Sequence, residues 1–227
     1  ADAPVSAHPH LELADLTARW SAQAAPTVAG LDLDLAPGDR VALTGPSGAG
    51  KSTVLAVLAR HLDPSGGDYT LDGVDVLDLP LAVTRGTVAF QDDSPHVFSS
   101  TLRENLRTAR PTATDAELEA VLADAGLGDF LDSLPDRLDT MLGAGHRTVS
   151  GGEQARIGLA RTLLSERPMV LLDEPVAHLD GPTARAVMQH LGTATAGRSV
   201  VLVSHRTEGH EWCGAEVRLE GLVDARR

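Results

Sequence analysis

The sequence lacks long hydrophobic runs: no apolar stretch approaches the roughly eighteen residues that a membrane-spanning helix needs. Its first ten residues, ADAPVSAHPH, also lack the charged start and apolar middle of a signal peptide. With 42% hydrophobic residues and a mean hydropathy of −0.05, the composition is typical of a soluble globular protein. We therefore expect that this segment neither spans nor crosses a membrane by itself.

Basic residues and cysteine are also scarce. Lys and Arg number 19 against 32 Asp and Glu, and the net charge of −13 repels nucleic-acid phosphates, although it still allows a local basic patch. Nucleic acid is therefore not an expected partner. The single cysteine, Cys213, excludes an internal disulfide and fits a reducing cytosol, so its role is interpreted as structural or incidental.

The hydrophobic pattern predicts an α/β fold. Residues 11–20 and 27–39 show alternation, notably Leu31, Leu33 and Leu35 with acidic residues between them, which predicts half-buried antiparallel strands near the N-terminus. Residues 100–164 show helical spacing, and 86–90 reads as a short strand. The apolar runs 169–172 and 199–205 predict buried strands, the second being the last of the chain. A parallel sheet with helical crossovers follows from this order.

The stretch Gly45 to Thr53, GPSGAGKST, fits the phosphate-binding pattern G-x-x-x-x-G-K-[ST]. Its glycines let backbone N–H groups point at a polyphosphate, while Lys51 offers a charge to the β- and γ-phosphates and Ser52 a hydroxyl ligand for Mg²⁺. A short apolar strand pattern precedes it and a helical pattern over 52–62 follows, which disfavours an ordinary Gly-rich turn. The predicted phosphate-binding residues are Gly45, Pro46, Ser47, Gly48, Ala49, Gly50, Lys51, Ser52 and Thr53.

Further polar residues follow predicted strands. Asp173 and Glu174 come directly after an apolar run, where an open α/β sheet binds its ligands. We expect Asp173 to hold Mg²⁺ through water and Glu174 to polarise a water that attacks the γ-phosphate. His205 ends a neighbouring strand and is placed to reach the same phosphate, and Gln91 ends another. The simpler interpretations are that the acidic pair caps a turn, that His205 has a structural role and that Gln91 is the solvated end of a strand.

The segment Val149 to Arg156, VSGGEQAR, places a serine and two glycines at the start of a predicted helix, which makes a second anion site. One nucleotide does not obviously need two such sites. Together with the loop at 45–53, these residues make the chain resemble the nucleotide-binding domain of an exporter-type ABC transporter. In that family this signature faces the P-loop of a second domain, and ATP is bound between them. The resemblance covers the chain from about Leu11 onward.

The resemblance implies a role for each matching position, with ATP and Mg²⁺ as cofactors. Catalytic roles are implied for Lys51, Gln91, Glu174 and His205, and Mg²⁺ ligation for Ser52, Gln91 and Asp173. Further ATP contacts are implied for the signature residues Ser150, Gly151, Gly152 and Glu153 and for Asp180 of the D-loop 177–180. Trp20 stands where the family has a tyrosine that stacks on adenine, and it keeps the π-face; the alternative is a place in the core.

The resemblance also implies the domain organisation. The polar, Pro- and His-containing composition of residues 1–10 predicts a linker, whose two histidines could bind metal but are interpreted as solvated, while the resemblance implies that 11–227 form the ABC ATPase domain. Within it, 11–90 and 165–227 are expected to form a P-loop NTPase (RecA-like) core with an N-terminal antiparallel β subdomain. Residues 91–164 are expected to form an inserted α-helical subdomain that carries the signature.

Several positions depart from the family pattern. Val149 and Glu153 replace a leucine and a glutamine of the signature, and Ala144 replaces a glutamate that contacts the membrane domains in exporters, which puts that contact in doubt. Within exporters, residues 129–143, the glutamate-ending signature 149–153 and residues 173–180 are most similar to the C subunit of the bacterial heterodimeric thiol exporter for cytochrome bd assembly. This resemblance implies export of cysteine or glutathione and a membrane domain upstream of residue 1.

We therefore expect an ATP hydrolase that dimerises around ATP, as a homo- or heterodimer, beneath the transmembrane domains of an exporter at the cytoplasmic face of the membrane. One alternative is a soluble ABC ATPase of DNA repair or translation, which the acidic charge disfavours. The other is a non-hydrolysing nucleotide-gated interaction module, which the intact Glu174 and His205 disfavour.

Overall fold

The computed structural model describes residues 5–92, 95–177, 179–205 and 209–221. Residues 1–4 of the predicted linker, His178 of the predicted D-loop and the last six residues lie outside these ranges. None of the helices described is long and apolar enough to cross a membrane.

Within the described ranges the chain forms nine strands and seven α-helices. The strands are β1 (Leu11–Ala18), β2 (Val28–Leu35), β3 (Arg40–Thr44), β4 (Gly66–Leu71), β5 (Val74–Asp75), β6 (Val88–Gln91), β7 (Met169–Asp173), β8 (Ser199–Val203) and β9 (Ala215–Arg218). The helices are α1 (Lys51–Leu58), α2 (Leu81–Thr87), α3 (Leu102–Arg107), α4 (Asp115–Asp124), α5 (Gly128–Ser133), α6 (Gly151–Leu164) and α7 (Gly181–Ala194). Short 3₁₀ turns cover Arg137–Asp139 and His210–Trp212.

The predicted antiparallel region is a four-stranded sheet in the order β2-β1-β4-β5. Leu11 pairs with Leu35, and Leu13 with Leu33, so the leucines of β1 and β2 form one buried face while the residues between them on β2 face outward. This alternation is the reason that the strands could be predicted, because one face of the sheet packs on the core and the other is solvated.

The second sheet has five parallel strands in the order β6-β7-β8-β3-β9, which confirms the predicted α/β class. Its central strands are buried on both faces. Val170 and Leu172 of β7 pack with the helices α3 to α7, whereas Met169 and Leu171 pack with α1 and the antiparallel sheet. Because all five strands run in one direction, the ends of β3, β6, β7 and β8 lie at the same edge.

The structure corrects three local expectations. The helix predicted over 52–62 ends at Leu58, because Arg60 adopts a positive φ of 52° that turns the chain. Residues 86–87 of the strand predicted at 86–90 belong to α2, and the strand is Val88–Gln91. The strand predicted at 199–205 ends at Val203 and is not the last, since β9 follows it at the sheet edge.

Residues 5–10 of the predicted linker are attached to the antiparallel sheet. The Asp72 carboxylate accepts hydrogen bonds from the backbone N–H groups of Ser6 (2.7 Å) and His10 (2.9 Å). The ring Nε2 of His10 lies 2.6 Å from Asp34 Oδ1, and this hydrogen bond raises the pKa of His10. This histidine therefore has a protein partner and is not simply solvated.

Candidate functional site

A cleft of about 440 Å³ lies at the carboxyl edge of the parallel sheet. The predicted phosphate loop, the ends of β7 and β8 and the first turns of α6 line it. The lining side chains and backbone include Ser47, Gly48, Gly50, Lys51, Ser52, Thr53, Gly152, Asp173, Glu174 and His205. Residues that are distant in the sequence thus meet in one cavity, at the place where an open α/β sheet binds its ligands.

Gly50 closes the phosphate loop against the β1–β2 connection. It is the residue directly before α1 and has a φ of 99°, a conformation that residues with a Cβ adopt only with strain. A Cβ added there would lie 2.7 Å from Val28 Cγ2 and 2.9 Å from the carbonyl oxygen of Thr27. Only glycine therefore fits, and the loop packs tightly on the connection that follows β1.

Lys51 is hydrogen-bonded through its side chain to the backbone of the predicted phosphate loop. Its side chain is 8% exposed, and its ammonium donates to the carbonyl oxygens of Gly45 (2.9 Å) and Pro46 (3.0 Å). These bonds hold a positive charge in the cleft, beside the N-terminus of α1, whose dipole also favours an anion. The arrangement can neutralise a polyphosphate.

Of the predicted Mg²⁺ ligands, Ser52 in the first turn of α1 and Asp173 at the end of β7 line the cleft, whereas Gln91 at the end of the adjacent strand β6 does not. Ser52 Oγ donates to Asp173 Oδ2 at 2.9 Å, and burial raises the pKa of Asp173, although the bond from Ser52 opposes that shift. Gln91 is 2% exposed, its Nε2 donates to the backbone of Asp92, and its Oε1 has no hydrogen-bond partner in the described chain. An unpaired buried acceptor costs about 1–3 kcal/mol. A hard cation with oxygen ligands would relieve this cost, so the residues fit Mg²⁺.

Glu174 and His205 are held together. Glu174 has a φ of 48°, and its backbone N–H donates to the carbonyl oxygen of Val203 at the end of β8 (2.9 Å). Its carboxylate accepts the backbone N–H of His205 at 3.1 Å, and the His205 ring Nε2 lies 3.6 Å from Glu174 Oε1. The carboxylate is mostly buried and the imidazole mostly exposed. The cleft thus contains the Glu174 carboxylate, which can accept a proton, beside the His205 imidazole, which can orient a bound group.

The signature forms the N-terminus of α6. Ser150 is its N-cap, and the Glu153 carboxylate accepts both the backbone N–H (2.6 Å) and the hydroxyl (2.8 Å) of Ser150. Ser150 and Gly151 are exposed, while Gly152 lines the cleft of the same chain. A phosphate that accepts the Ser150 hydroxyl therefore has to displace Glu153, which repels it.

Arg156 is a lining residue that the sequence interpretation missed. Its guanidinium donates to the carbonyl oxygens of Gly126 (2.6 Å) and Gly152 (3.1 Å). The available signal was its helical spacing, four residues after Gly152. The bond to Gly126 connects α6 to the turn that follows α4, and the bond to Gly152 lies within α6, so Arg156 braces the helix that carries the signature.

Two predicted ATP contacts are not among the residues that line the cleft: Trp20 lies in the connection between β1 and β2, and Asp180 lies directly before α7. Trp20 is 60% exposed, so the alternative of a core residue is wrong, and its indole N–H donates to Thr53 Oγ1 at 3.1 Å. Asp180 is the N-cap of α7, where its carboxylate accepts the N–H (3.0 Å) and hydroxyl (2.9 Å) of Thr183. The ATP contact of Asp180 stays a prediction.

Comparison with known proteins agrees with this geometry. A family profile described as ABC transporter matches residues 28–177. The chain belongs to the ABC transporter family. It is 43% identical over 176 residues to the mitochondrial potassium channel ATP-binding subunit of Xenopus tropicalis, which covers 77% of this chain and 26% of that protein. It is 34% identical over 219 residues to the ATP-dependent lipid A-core flippase of Thiobacillus denitrificans, which covers 96% of this chain and 38% of the flippase.

A solved structure of a bacterial Atm1-family ABC exporter with ATP bound is also similar, with a TM-score of 0.88 and 30% identity. The alignment covers 97% of this chain and 39% of that exporter. This ABC chain thus spans well under half the length of these relatives. It is an exporter-type ABC ATPase domain that binds ATP.

Asp173→Asn is expected to weaken the Mg²⁺-dependent binding of ATP without lowering the stability of this ABC domain. A water-mediated metal contact would be weakened, so Mg²⁺-dependent ATP affinity should fall about 10- to 100-fold. Since burial raises the pKa of Asp173, the parent loses stability as the pH rises through the ordinary and then the raised pKa. The uncharged variant lacks this loss and should melt at the same or a higher temperature at pH 7.

Titration with ATP at several Mg²⁺ concentrations and thermal denaturation between pH 4 and 7 measure both effects. Asp75→Asn, on the short strand β5 outside the cleft, is the matched control and should change neither. A lower melting temperature together with an unchanged Mg²⁺ response would contradict the assignment.

Proposed function

We propose that this ABC domain is the ATP-hydrolysing motor of an exporter, working as a dimer at the cytoplasmic face of a membrane. The observation that carries the proposal is the meeting of Lys51, Ser52, Asp173, Glu174 and His205 in one cleft. This set combines phosphate neutralisation, metal ligation and activation of water, which are the requirements of phosphoryl transfer to water.

Each group has a distinct part in the proposed reaction. Lys51 and the N-terminus of α1 hold the β- and γ-phosphates. Ser52 and Gln91 would hold Mg²⁺ directly and Asp173 through water, and the ion would neutralise charge on the phosphate oxygens. Glu174 orients the attacking water and accepts its proton, while His205 contacts Glu174 and the γ-phosphate.

A second ABC domain would complete the site. The exposed N-terminus of α6 offers backbone N–H groups to an anion outside the chain, and the Ser150 hydroxyl becomes available to that anion once Glu153 is displaced. We assign Ser150, Gly151, Gly152 and Glu153, together with Asp180, to ATP held by the P-loop of that partner, in a homo- or heterodimer. We also propose an α-helical subdomain at 91–164, which contains α3 to α6, between the core segments 11–90 and 165–227; its apolar side chains share one buried cluster with β7, β8 and α7 of the core.

The transmembrane domains would contact the segment that follows Gln91. Phe98 of this segment is 48% exposed, and the Arg161 guanidinium lies 5.5 Å from its ring centroid. The fully buried Asn105 braces its backbone, because Asn105 Oδ1 accepts the Phe98 N–H (2.9 Å) and Asn105 Nδ2 donates to the Phe98 carbonyl oxygen (3.0 Å). A large apolar side chain exposed on a braced backbone fits a docking contact.

Phe98→Ala is expected to reduce transport by the natural full-length protein about 10-fold or more, the effect of losing an interface anchor. ATP turnover by the isolated 227-residue chain should stay near that of the parent, because Phe98 does not line the cleft. Leu77→Ala, which truncates another exposed apolar residue, is the matched control and should leave both activities unchanged.

Transport in vesicles and ATP turnover, with and without added DNA or RNA, are the measurements. Loss of turnover by the folded Phe98→Ala chain would place this segment in the active site instead. Strong stimulation of turnover by nucleic acid would favour a soluble ABC ATPase of DNA repair or translation and would contradict the exporter function.

For the cargo, we propose thiols such as cysteine or glutathione, exported with a partner subunit. The support is the resemblance of residues 129–143 and 173–180 to the C subunit of the bacterial thiol exporter. Uptake of labelled glutathione and cysteine into inverted vesicles, compared with flipping of a labelled lipid A core, tests it. Movement of the lipid alone would contradict the thiol cargo.

A further inference from the structure

Trp20 combines high exposure with a fixed position. At 60% exposure, it is the most exposed of the large hydrophobic side chains in the described chain. Its indole N–H nevertheless donates to Thr53 Oγ1 at 3.1 Å. A tryptophan that serves only for packing would be buried, whereas this ring keeps most of its surface available and is held by its polar atom.

The connection that carries Trp20 is braced at both ends. The N–H of Thr27 donates to the carbonyl oxygen of Ala18 (2.8 Å), which closes the loop between β1 and β2. The same end packs on the phosphate loop, where a Cβ at Gly50 would lie 2.9 Å from the Thr27 carbonyl oxygen. The indole is therefore attached to the phosphate site through the backbone as well as through its own hydrogen bond.

Thr53 joins the two regions. It is the third residue of α1, is 5% exposed, and lines the cleft. Its hydroxyl oxygen accepts the indole N–H, a role that valine of similar shape cannot fill. Tyrosine or phenylalanine at position 20 would keep a π-face but would lack a ring N–H to donate to Thr53.

We propose that Thr53 is a positioning residue for recognition of the nucleotide base, acting by holding the Trp20 indole in one orientation beside the phosphate loop. The inference rests on the proposed function, in which Trp20 stacks on the base of ATP. Fixing the ring before binding reduces the ordering that stacking would otherwise require. It follows that the aromatic residues are not interchangeable here, because the indole N–H matters as well as the π-face.

Thr53→Val tests the role through two ligands, Mg-ATP and Mg-tripolyphosphate, which has no base. Thr53 is also one of the predicted phosphate-binding residues, so Thr53→Val can weaken binding of both ligands, but loss of the hydrogen bond to the indole should weaken ATP binding about 3- to 10-fold more than tripolyphosphate binding. Thr53→Ser keeps the acceptor and should bind both ligands like the parent. Equal weakening for both ligands would show that Thr53 acts on the phosphates directly and would overturn the proposal.

A double-mutant cycle with Trp20→Phe isolates the pair. Phenylalanine should itself weaken ATP binding, and adding Thr53→Val to it should cause no loss beyond that measured with tripolyphosphate, because the shared hydrogen bond is already absent. Fully additive losses would contradict the proposal.

The fluorescence of Trp20 gives a second measurement. In a Trp212→Phe background, Trp20 is the only one of the two tryptophans left, and Thr53→Val should lower its fluorescence anisotropy and increase its quenching by iodide.

The parent chain and Lys51→Ala distinguish failure of this inference from failure of the proposed function. If the parent binds neither ligand, or if Lys51→Ala binds both normally, the nucleotide site itself is misassigned and both proposals fall. If the parent binds both ligands, Lys51→Ala weakens both, and Thr53→Val changes neither, only the positioning role fails.

Discussion

Replacing Glu174 by glutamine is expected to lower ATP turnover about 10²- to 10⁴-fold, the usual contribution of a general base, while ATP binding survives. Glutamine keeps the shape of the side chain and can still accept the His205 N–H, but it cannot take a proton from water. Asp173 and Ser52, which make the predicted metal site, are untouched. Phosphate release and equilibrium ATP binding measure the two parts of the result.

The same variant should associate when ATP is added and separate with ADP. Unhydrolysed ATP would bridge the P-loop of one domain and the exposed N-terminus of α6 in the other. Adding Ser150→Arg places bulk at that helix terminus and should abolish association, yet leave ATP binding by the monomer nearly intact. Sedimentation with each nucleotide, alone and with a candidate partner domain, reports the association.

Glu12→Gln is the charge-matched control, because Glu12 is exposed on β1 and away from the ATP cleft. It should change neither turnover nor association. A Glu174→Gln chain that stays monomeric with ATP, both alone and with its partner domain, would overturn the proposed sandwich. Turnover close to that of the parent would remove Glu174 from the reaction.

Lys51→Ala should weaken Mg-ATP binding about 10- to 100-fold, the scale of a charge-assisted hydrogen bond. The loss has a direct cause, since the variant removes the cation held in the cleft by the carbonyl oxygens of Gly45 and Pro46. Lys51→Met keeps most of the buried aliphatic chain and should lose binding equally. Near-normal binding by the methionine variant would assign the effect of alanine to packing.

Chemical labelling gives an independent measurement of the same group. Lys51 is the only lysine in the sequence, so an amine-acylating reagent can modify only this side chain and the N-terminal amine. ATP should protect Lys51 and leave labelling of the N-terminus unchanged, as peptide mass spectrometry can show. Equal labelling of Lys51 with and without ATP would contradict its contact with phosphate.

Much of the fold could be predicted because it depends on residues that are close in sequence. The leucine alternation of β2 and the apolar runs of β7 and β8 predict buried strands, since each pattern matches the period of its element. The helix α2 and the edge strand β9 were not predicted, because each lacks such a local pattern. The helix is seven residues long with Gly86 in its last turn, and β9 is mostly exposed, so neither has a pattern that distinguishes it from a loop.

The local spacing of residues encodes the phosphate loop, the acidic pair after β7, the signature and the α/β class of this ABC domain. Which of these groups meet depends instead on the folded chain. Ser52 bonds Asp173 across 121 positions, Glu174 meets His205 across 31, and Trp20 is held by Thr53 across 33. Such contacts depend on the strand order β6-β7-β8-β3-β9 and on how loops pack at its edge, because proximity there comes from sheet pairing and not from neighbouring residues.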